Sequence, residues 1–363
     1  MPTDNADSTG KGTAQATIKI NGTEVPKDAV ASLVIEQDVD QADMCSAAIK
    51  NTNDQRYTQT LNLGDTVEVS VAETGTGTLT SVFKGEVAGL EPNYESGGET
   101  HCVVRAFSKL HRLSRGKKSK TYEKKTDAEI AKAICTDYGL TCKVTGDVNI
   151  RYDHVYQHHQ HDLEFLLMRA RRINYEVMVD DSTLSFRKRD MSQSEALTLV
   201  FGAKDDAGGA PMQKLTLRLS SANQVTSVKI RAWDPKTAKE IVGQADSLDA
   251  TLGDKGGGAA AKSQFSGATH KVTHDVPVRS TEEANAVAKA LLEDHSLNYI
   301  TGEAVCKGNP KLKAGTMVKI TKTDTRFDGK YYVVGVTHKY GHSSGGKGGY
   351  VCVARIKRNA MGS

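Results

Sequence analysis

The two ends of the chain carry the same succession of residues, and that repeat limits the possible folds more than any other feature. Near the N-terminus, Asn62-Leu63-Gly64-Asp65-Thr66-Val67-Glu68-Val69 is followed by Phe83-Lys84-Gly85, the pair Gly97-Gly98 and Cys102-Val103-Val104-Arg105. Near the C-terminus, Lys313-Ala314-Gly315-Thr316-Met317-Val318-Lys319-Ile320 is followed by Phe327-Asp328-Gly329, a glycine-rich stretch at 345–349 and Cys352-Val353-Ala354-Arg355. Both read as glycine turn, alternating strand, Phe-x-Gly turn, strand, Gly-rich hairpin, strand. Apolar residues at every second position mark a strand with one buried face. The physical reading is one small antiparallel barrel built twice. Three copies of such a chain present six similar modules in a ring, which joins a six-fold object to a three-fold one.

Between the repeats only three stretches have a helical pattern. One opens at Thr126 with Glu129 as a capping box and stops at Gly139. One follows Asp162 and carries Arg169, Arg171 and Arg172 at its end, where cations complement the helix dipole. One begins at Ser280 with Glu283 three residues on. Elsewhere short alternating or apolar runs predict strands, with Asp180-Asp181-Ser182-Thr183 as a tight turn between two of them. Residues 253–262 have the composition of a flexible loop, and 345–349 that of a mobile hairpin tip.

A chain of 363 residues has room for two or three domains with separate cores. Its net charge of +4 is too small to argue for a nucleic-acid partner. No apolar run reaches the ~18–20 residues needed to span a bilayer. Residues 1–14 are polar, without the apolar stretch of a secretion signal, and read as a loose tail. The six cysteines include no Cys-x-x-Cys pair. Cys102 and Cys352 fall in apolar strand patterns, and free thiols are expected throughout, the spacing of Cys135 and Cys142 notwithstanding.

The segment Tyr152-Asp153-His154-Val155-Tyr156-Gln157-His158-His159-Gln160-His161-Asp162-Leu163-Glu164-Phe165-Leu166 resembles one shared by late control protein D of tailed phages and the N-terminal half of VgrG-type spike proteins. The strand, acidic turn and strand after it, Tyr175-Glu176-Val177 to Leu184-Ser185-Phe186, fit the same family. So do Val228 to Lys236, with its Trp-Asp-Pro turn, and Gly308 to Tyr340. The resemblance implies a homotrimeric baseplate hub with two tube-like barrels per subunit. It also implies an inner tube stacked on one face and a spike on the other. VgrG-type chains continue into a further barrel and a needle; this one stops after the second barrel, so the spike is expected to be a separate polypeptide.

Several groups invite a chemical reading. His154, His158, His159 and His161 cluster in sequence, but without a His-Glu-x-x-His spacing they read as a polar surface loop, with His161 or Asp162 capping the helix. The basic run from Arg105 through Lys109, Arg112, Arg115, Lys117, Lys118, Lys120, Lys124 and Lys125 has few stacking aromatics and reads as a solvated connection. Trp233, the single tryptophan, is expected to pack a domain junction. Asp180-Asp181 and Asp205-Asp206 are adjacent loop acids that point apart. Thr78 to Thr80 show no nucleophile elbow, and the glycine runs lack the following Lys-Ser/Thr of a phosphate-cradling loop.

The expected fold is α+β and mainly antiparallel β, with two tube-like barrels and an α/β insertion. Residues 1–15 form a tail, 16–112 the first barrel and 113–190 the insertion. Residues 191–234 with 298–360 form the second barrel, and 235–297 a loop and helical connection. The expected function is that of a structural, non-enzymatic hub with no catalytic, metal or cofactor-binding residues. It would form part of a phage tail or injection particle assembled in the bacterial cytoplasm. Its partners would be itself, a spike or tip protein, tube or tube-initiator proteins and other baseplate components, without a membrane segment or specific nucleic acid. The alternatives are a metal-dependent tail-associated hydrolase using the histidines and a nucleic-acid binder using residues 105–125.

Overall fold

Strands that bury every second side chain dominate the chain, and most of them join one sheet. The computed structural model describes residues 15–51, 56–72, 77–96, 100–204, 209–234, 236–265, 270–273, 277–342 and 348–362. The expected N-terminal tail, Asp205-Asp206 and most of the hairpin tip lie outside these residues. The N-terminal unit contains β1 (Ala16–Ile20), β2 (Thr23–Glu24), β3 (Val30–Asp38), β4 (Met44–Asn51), the single turn α1 (Tyr57–Thr60), β5 (Thr66–Ala72), β6 (Leu79–Asn93) and β7 (Thr100–Phe107). Cys45, Ala47 and Ile49 on β4 pair directly with Ala106, Val104 and Cys102 on β7, and all six are buried. Their neighbours in sequence point to the opposite face, as the period of two requires.

After a 3₁₀ segment (Lys109–Ser114) comes an α/β unit: β8 (Lys118–Thr126), α2 (Asp127–Asp137), β9 (Thr141–Thr145), β10 (Arg151–Gln160), α3 (Asp162–Arg171), β11 (Tyr175–Asp180) and β12 (Thr183–Lys188). α2 starts where predicted. Thr126 Oγ1 accepts from the Glu129 N–H at 3.2 Å, and the Glu129 carboxylate accepts from the Thr126 N–H at 2.8 Å. Ile130, Ile134, Phe165, Leu166, Val177 and Phe186 fill a core separate from that of the main sheet.

The chain then returns to the main sheet with β13 (Glu195–Phe201) and β14 (Ala210–Leu219). It leaves again through β15 (Ser227–Asp234), β16 (Lys239–Ala245), β17 (Lys255–Gly256), α4 (Gly257–Gln264), β18 (His270–Thr273) and α5 (Thr281–Leu297). It finishes with β19 (Ile300–Lys307), β20 (Met317–Thr321), β21 (Gly329–His342), β22 (Gly348–Arg358) and β23 (Ala360–Met361). Thirteen strands form one sheet in the order β2-β1-β5-β6-β7-β4-β3-β21-β20-β13-β14-β19-β22, and β21 also pairs with β22. That extra ladder closes β21, β20, β13, β14, β19 and β22 into a six-stranded barrel. The first barrel expected at 16–112 is instead an open sheet: among the described residues no ladder joins β1 to β3. One apolar core runs through both, from Ile18 and Val69 to Ile320 and Ile356. Among the described residues, no helix is long and apolar enough to cross a membrane.

Four other expectations need correction here. β15, placed in the second barrel by its sequence, instead pairs with β16 and β18. α5 packs on that small sheet around Val228, Ile230, Val287, Ala288 and Leu292, so the span expected to be a connection belongs largely to a unit with its own core. The glycine-rich 253–262 is not a flexible loop: most of it is α4, with Ala260 and Ala261 buried. A β-carbon at Gly258 would collide with the Val225 carbonyl, and one at Gly257 with Gln224 and Tyr299. The bare glycine backbone permits close helix packing here, where composition alone pointed to freedom. Finally, Phe83-Lys84-Gly85 lies inside β6 and is not a turn.

The insertion is fastened to the barrel by a buried carboxylate. Glu176, fully buried on β11, accepts hydrogen bonds from the Tyr332 hydroxyl of β21, from Arg189 Nε at 3.1 Å and from Arg187 Nη2 at 3.4 Å. Arg187 Nη2 also donates to the Gly315 carbonyl at 2.7 Å. Burial, then the Glu176 charge, hold the Tyr332 hydroxyl well above its ordinary pKa, so it stays a donor. Removing one member strands the other charges away from water. Glu176→Ala is expected to lower stability by about 3–5 kcal/mol, read as a drop in denaturant midpoint.

Candidate functional site: a duplicated sheet and its junction

The repeat seen in the sequence is a repeat of hydrogen bonds. At the first glycine turn the Gly64 N–H donates to the Val87 carbonyl at 2.8 Å, and the Val87 N–H donates to the Asp65 carbonyl at 2.8 Å. At the second, the Gly315 N–H donates to the Val333 carbonyl at 2.8 Å, and the Val333 N–H to the Thr316 carbonyl at 2.9 Å. Both glycines have positive φ, +92° and +74°. From these anchors β5–β6 and β20–β21 run in the same register, Val67 opposite Gly85 and Val318 opposite Tyr331. An irregularity follows at Val87-Ala88-Gly89 and again at Val333-Val334-Gly335, after which Gly89 faces Arg105 and Gly335 faces Arg355. Cys102 and Cys352 pair with Pro92 and His338, again three residues beyond the glycine.

The equivalence covers five strands. β5-β6-β7-β4-β3 and β20-β21-β22-β19-β14 have the same order. A second bulge also recurs, between Val30 and Ser32 against β4 and between Met212 and Lys214 against β19. A bulge adds one residue to one strand and changes the local twist. Two bulges at matching places make chance agreement of generic strands a poor explanation. The sixth strand differs: β1 runs antiparallel to β5, whereas β13 runs parallel to β20 and closes the barrel through β14.

The two modules are joined by backbone. The first residues of β21 pair with β20 (Gly329 to Tyr332), and on the same edge Gly335 to Gly341 pair antiparallel with Asp38 to Ser32 of β3. Leu33, Ile35 and Val336 are buried there, and Arg355 forms an ion pair with Asp38 across the seam. The sequence did not reveal β3 as the partner of β21 at this junction, nor Glu176 as the anchor of the insertion. The signal for it is the pair Val-x-Gly before each Cys-Val-x-Arg, which the more conspicuous Phe-x-Gly match obscured.

A cleft of about 270 Å³ opens where β6, the β11–β12 hairpin and the loop before β20 meet. Asp43 lines it with Lys84, Asp180, Arg187 and Lys313, and neither histidine nor cysteine is in its wall. Desolvation pushes the Asp43 carboxyl up to about 7, against the opposing hydrogen bond from the Asp38 backbone; the neighbouring Asp180 and Asp38 charges add to the rise.

The residues singled out in the sequence do not converge. His154, His158 and His159 are exposed along β10, and the positive φ of His159, +45°, breaks the alternation expected there. His161 occupies the N-cap position of α3 without a side-chain cap, its ring 3.2 Å from the Gly116 carbonyl. No group of three His, Cys, Asp or Glu side chains suited to a metal occurs among the described residues. The basic run is ordered: Arg112 pairs with Glu86, Lys118 with the buried Asp162 at 2.6 Å and Lys120 with Asp137 at 3.2 Å. It forms the 3₁₀ segment and β8, with Arg115, Lys117, Lys124 and Lys125 exposed, so the solvated connection expected from the sequence is an ordered one. Trp233, next to the last residue of β15, is 62% exposed and so is not buried at a junction among the described residues. Asp181 lies in the two-residue turn of the β11–β12 hairpin, as predicted. All six cysteines are free thiols.

The family described as Alg8 N-terminal domain matches residues 10–342. No curated protein matches the chain. Among solved structures, the 43 kDa tail protein of prophage MuSo2 from Shewanella oneidensis superposes with a TM-score of 0.69 at 14% identity, covering 96% of this chain and 100% of that one. The tail protein from Neisseria meningitidis MC58 gives 0.69 at 13% identity, covering 95% and 97%. The E. coli c3393 protein, a component of the type VI secretion system, gives 0.61 at 11% identity, covering 94% and 77%. At such identities the likeness is one of fold. The resemblance drawn from residues 152–186 to tail hubs and VgrG-type proteins is borne out at that level.

Two outcomes follow from the geometry. Both equivalent glycines disfavour a β-carbon, so Gly64→Ala is expected to cost about 1–2 kcal/mol. Gly315→Ala should cost more, because its β-carbon would also displace Arg187; paired denaturant titrations check the order. Asp43, raised above its unfolded value of 3.8, binds a proton more tightly when folded. Its contribution is therefore full below about pH 4 and lost as pH rises through about 7. Asp43→Asn should exceed the parent in stability by up to about 4 kcal/mol at pH 8 and match it near pH 4, measured by unfolding at both values.

Proposed function

We propose, from the premise that the chain belongs to the Alg8 N-terminal domain family, that it is a structural baseplate hub without catalytic activity. The observation that carries the proposal is the five-strand module present twice in matching register and joined by the β3–β21 ladder. In this reading the open N-terminal sheet acts as the first tube-like module and the closed barrel as the second. Three chains around one axis then offer six near-equivalent modules, and a ring so closed leaves no terminal subunit.

On one face, six modules match the first disc of a six-fold inner tube and help nucleate it. On the other, the three-fold arrangement seats a trimeric spike or tip. The fold likeness to two tail proteins and to a type VI secretion component supports a place in a contractile tail or injection particle. The α/β insertion and the α5 unit, each with its own core, are the surfaces for other baseplate components. Assembly takes place in the bacterial cytoplasm before the particle is complete.

Light scattering coupled to size exclusion is expected to give three times the chain mass, and the trimer should retain both the tube protein and the spike protein encoded beside it. A stable monomer that retains neither would overturn the hub reading.

A further inference from the structure

We infer that the sheet continues from one copy of this chain into the next, through residues 89–93 of β6 on one copy and 215–219 of β14 on its neighbour. The inference rests on the hub reading above and adds which edges meet and in what register. Within the chain, one copy of the module already joins the other: residues 335–341 of β21 pair with β3. The counterpart of that stretch of β21 is residues 89–95, because Gly89 and Gly335 follow the same bulge. The counterpart of β3 is β14, Ser32 and Lys214 following the other shared bulge.

Both counterpart edges are unpaired among the described residues. β6 bonds β5 only up to Glu86, leaving that side of 89–93 open, and β14 bonds β13 only from Ala210 to Met212. Exposure tells the two settings apart. At the occupied junction Leu33, Ile35 and Val336 are 1%, 0% and 2% exposed. Their counterparts Leu215, Leu217 and Leu90 are only half-buried. Tyr94, the counterpart of the half-buried Tyr340, is 69% exposed, and Leu219 is 38% exposed. Exposed apolar side chains beside open backbone donors and acceptors form a surface ready for a strand.

The occupant is a second copy because the two edges fit each other. Carrying the internal register over places Leu90 opposite Leu219, Glu91 opposite Arg218 and Asn93 opposite Thr216. Glu91 already holds Arg105, with Arg105 Nε 2.5 Å from its Oε1, and meets Arg218 from the other side. Opposite charges directly across a ladder stabilise it, and a shifted register loses both that pair and the leucine pair. Pro92 has no N–H and costs the ladder at most one hydrogen bond. Since the edges are unlike, the contact is head-to-tail, the kind that closes into a ring.

The test is a pair of double-cysteine chains. Cα atoms of directly opposed residues lie about 4.5–5.5 Å apart, within disulfide reach. Glu91→Cys with Arg218→Cys is expected to give covalent trimers on mild oxidation. Glu91→Cys with Thr216→Cys, two residues out of register, and each single variant should not. Independently, Glu91→Arg should weaken assembly by about tenfold, and adding Arg218→Glu should restore it. A trimer with neither cross-link nor charge rescue, or one that cross-links equally in both registers, overturns this pairing and leaves the hub reading standing. A monomeric parent chain overturns both.

Discussion

Strand β21 is shared. Its first residues bond β20 inside the barrel, its later ones bond β3 of the N-terminal sheet, and its other edge is held by β22. Each backbone N–H and C=O taken from water needs a partner, and along β21 those partners come from three different parts of the chain. The bulge at Val333-Val334-Gly335 is where one partner gives way to the next on the shared edge. Because side chains alternate with a period of two, a slip of one residue at this seam would turn Leu33 and Ile35 out to solvent and Glu36 inward. The register between the modules is therefore fixed as firmly as the register within them.

Around this sheet the chain places two excursions, and each is tied back by charge as well as by apolar contact. The insertion is anchored by Glu176 between Arg187, Arg189 and Tyr332. It is also tied to the α5 unit by Arg172, which donates to Glu283 at 2.7 Å. Buried ion pairs add little net stability against water, but a misdocked unit would leave them unpaired, and that cost selects one arrangement. Within the insertion, Asp127 holds Arg169 at 2.6 Å and Tyr152 at 3.0 Å by the same logic.

That chains at 11–14% identity adopt this fold follows from what the ladders demand. Alternation, two glycine turns and two bulges specify the module, and most outward-facing positions are free to change.

The three long helices were legible in the sequence, because capping residues and a 3.6-residue period act within a few residues of each other. So was the presence of one sheet module twice, because glycines at obligatory positive φ and Cys-Val-x-Arg strands recur in order. The remaining features depended on contacts between distant segments. Phe83-Lys84-Gly85 looks like the Phe327-Asp328-Gly329 turn but lies inside β6, because pairing depends on a bulge with little composition of its own. The α4 helix was hidden by glycines whose role is close packing against Gln224 and Tyr299. β15 left the barrel because a strand's partner is chosen by remote parts of the chain, here β16, β18 and α5. Local sequence encodes which face of an element is apolar; which other face covers it is settled by the whole chain at once.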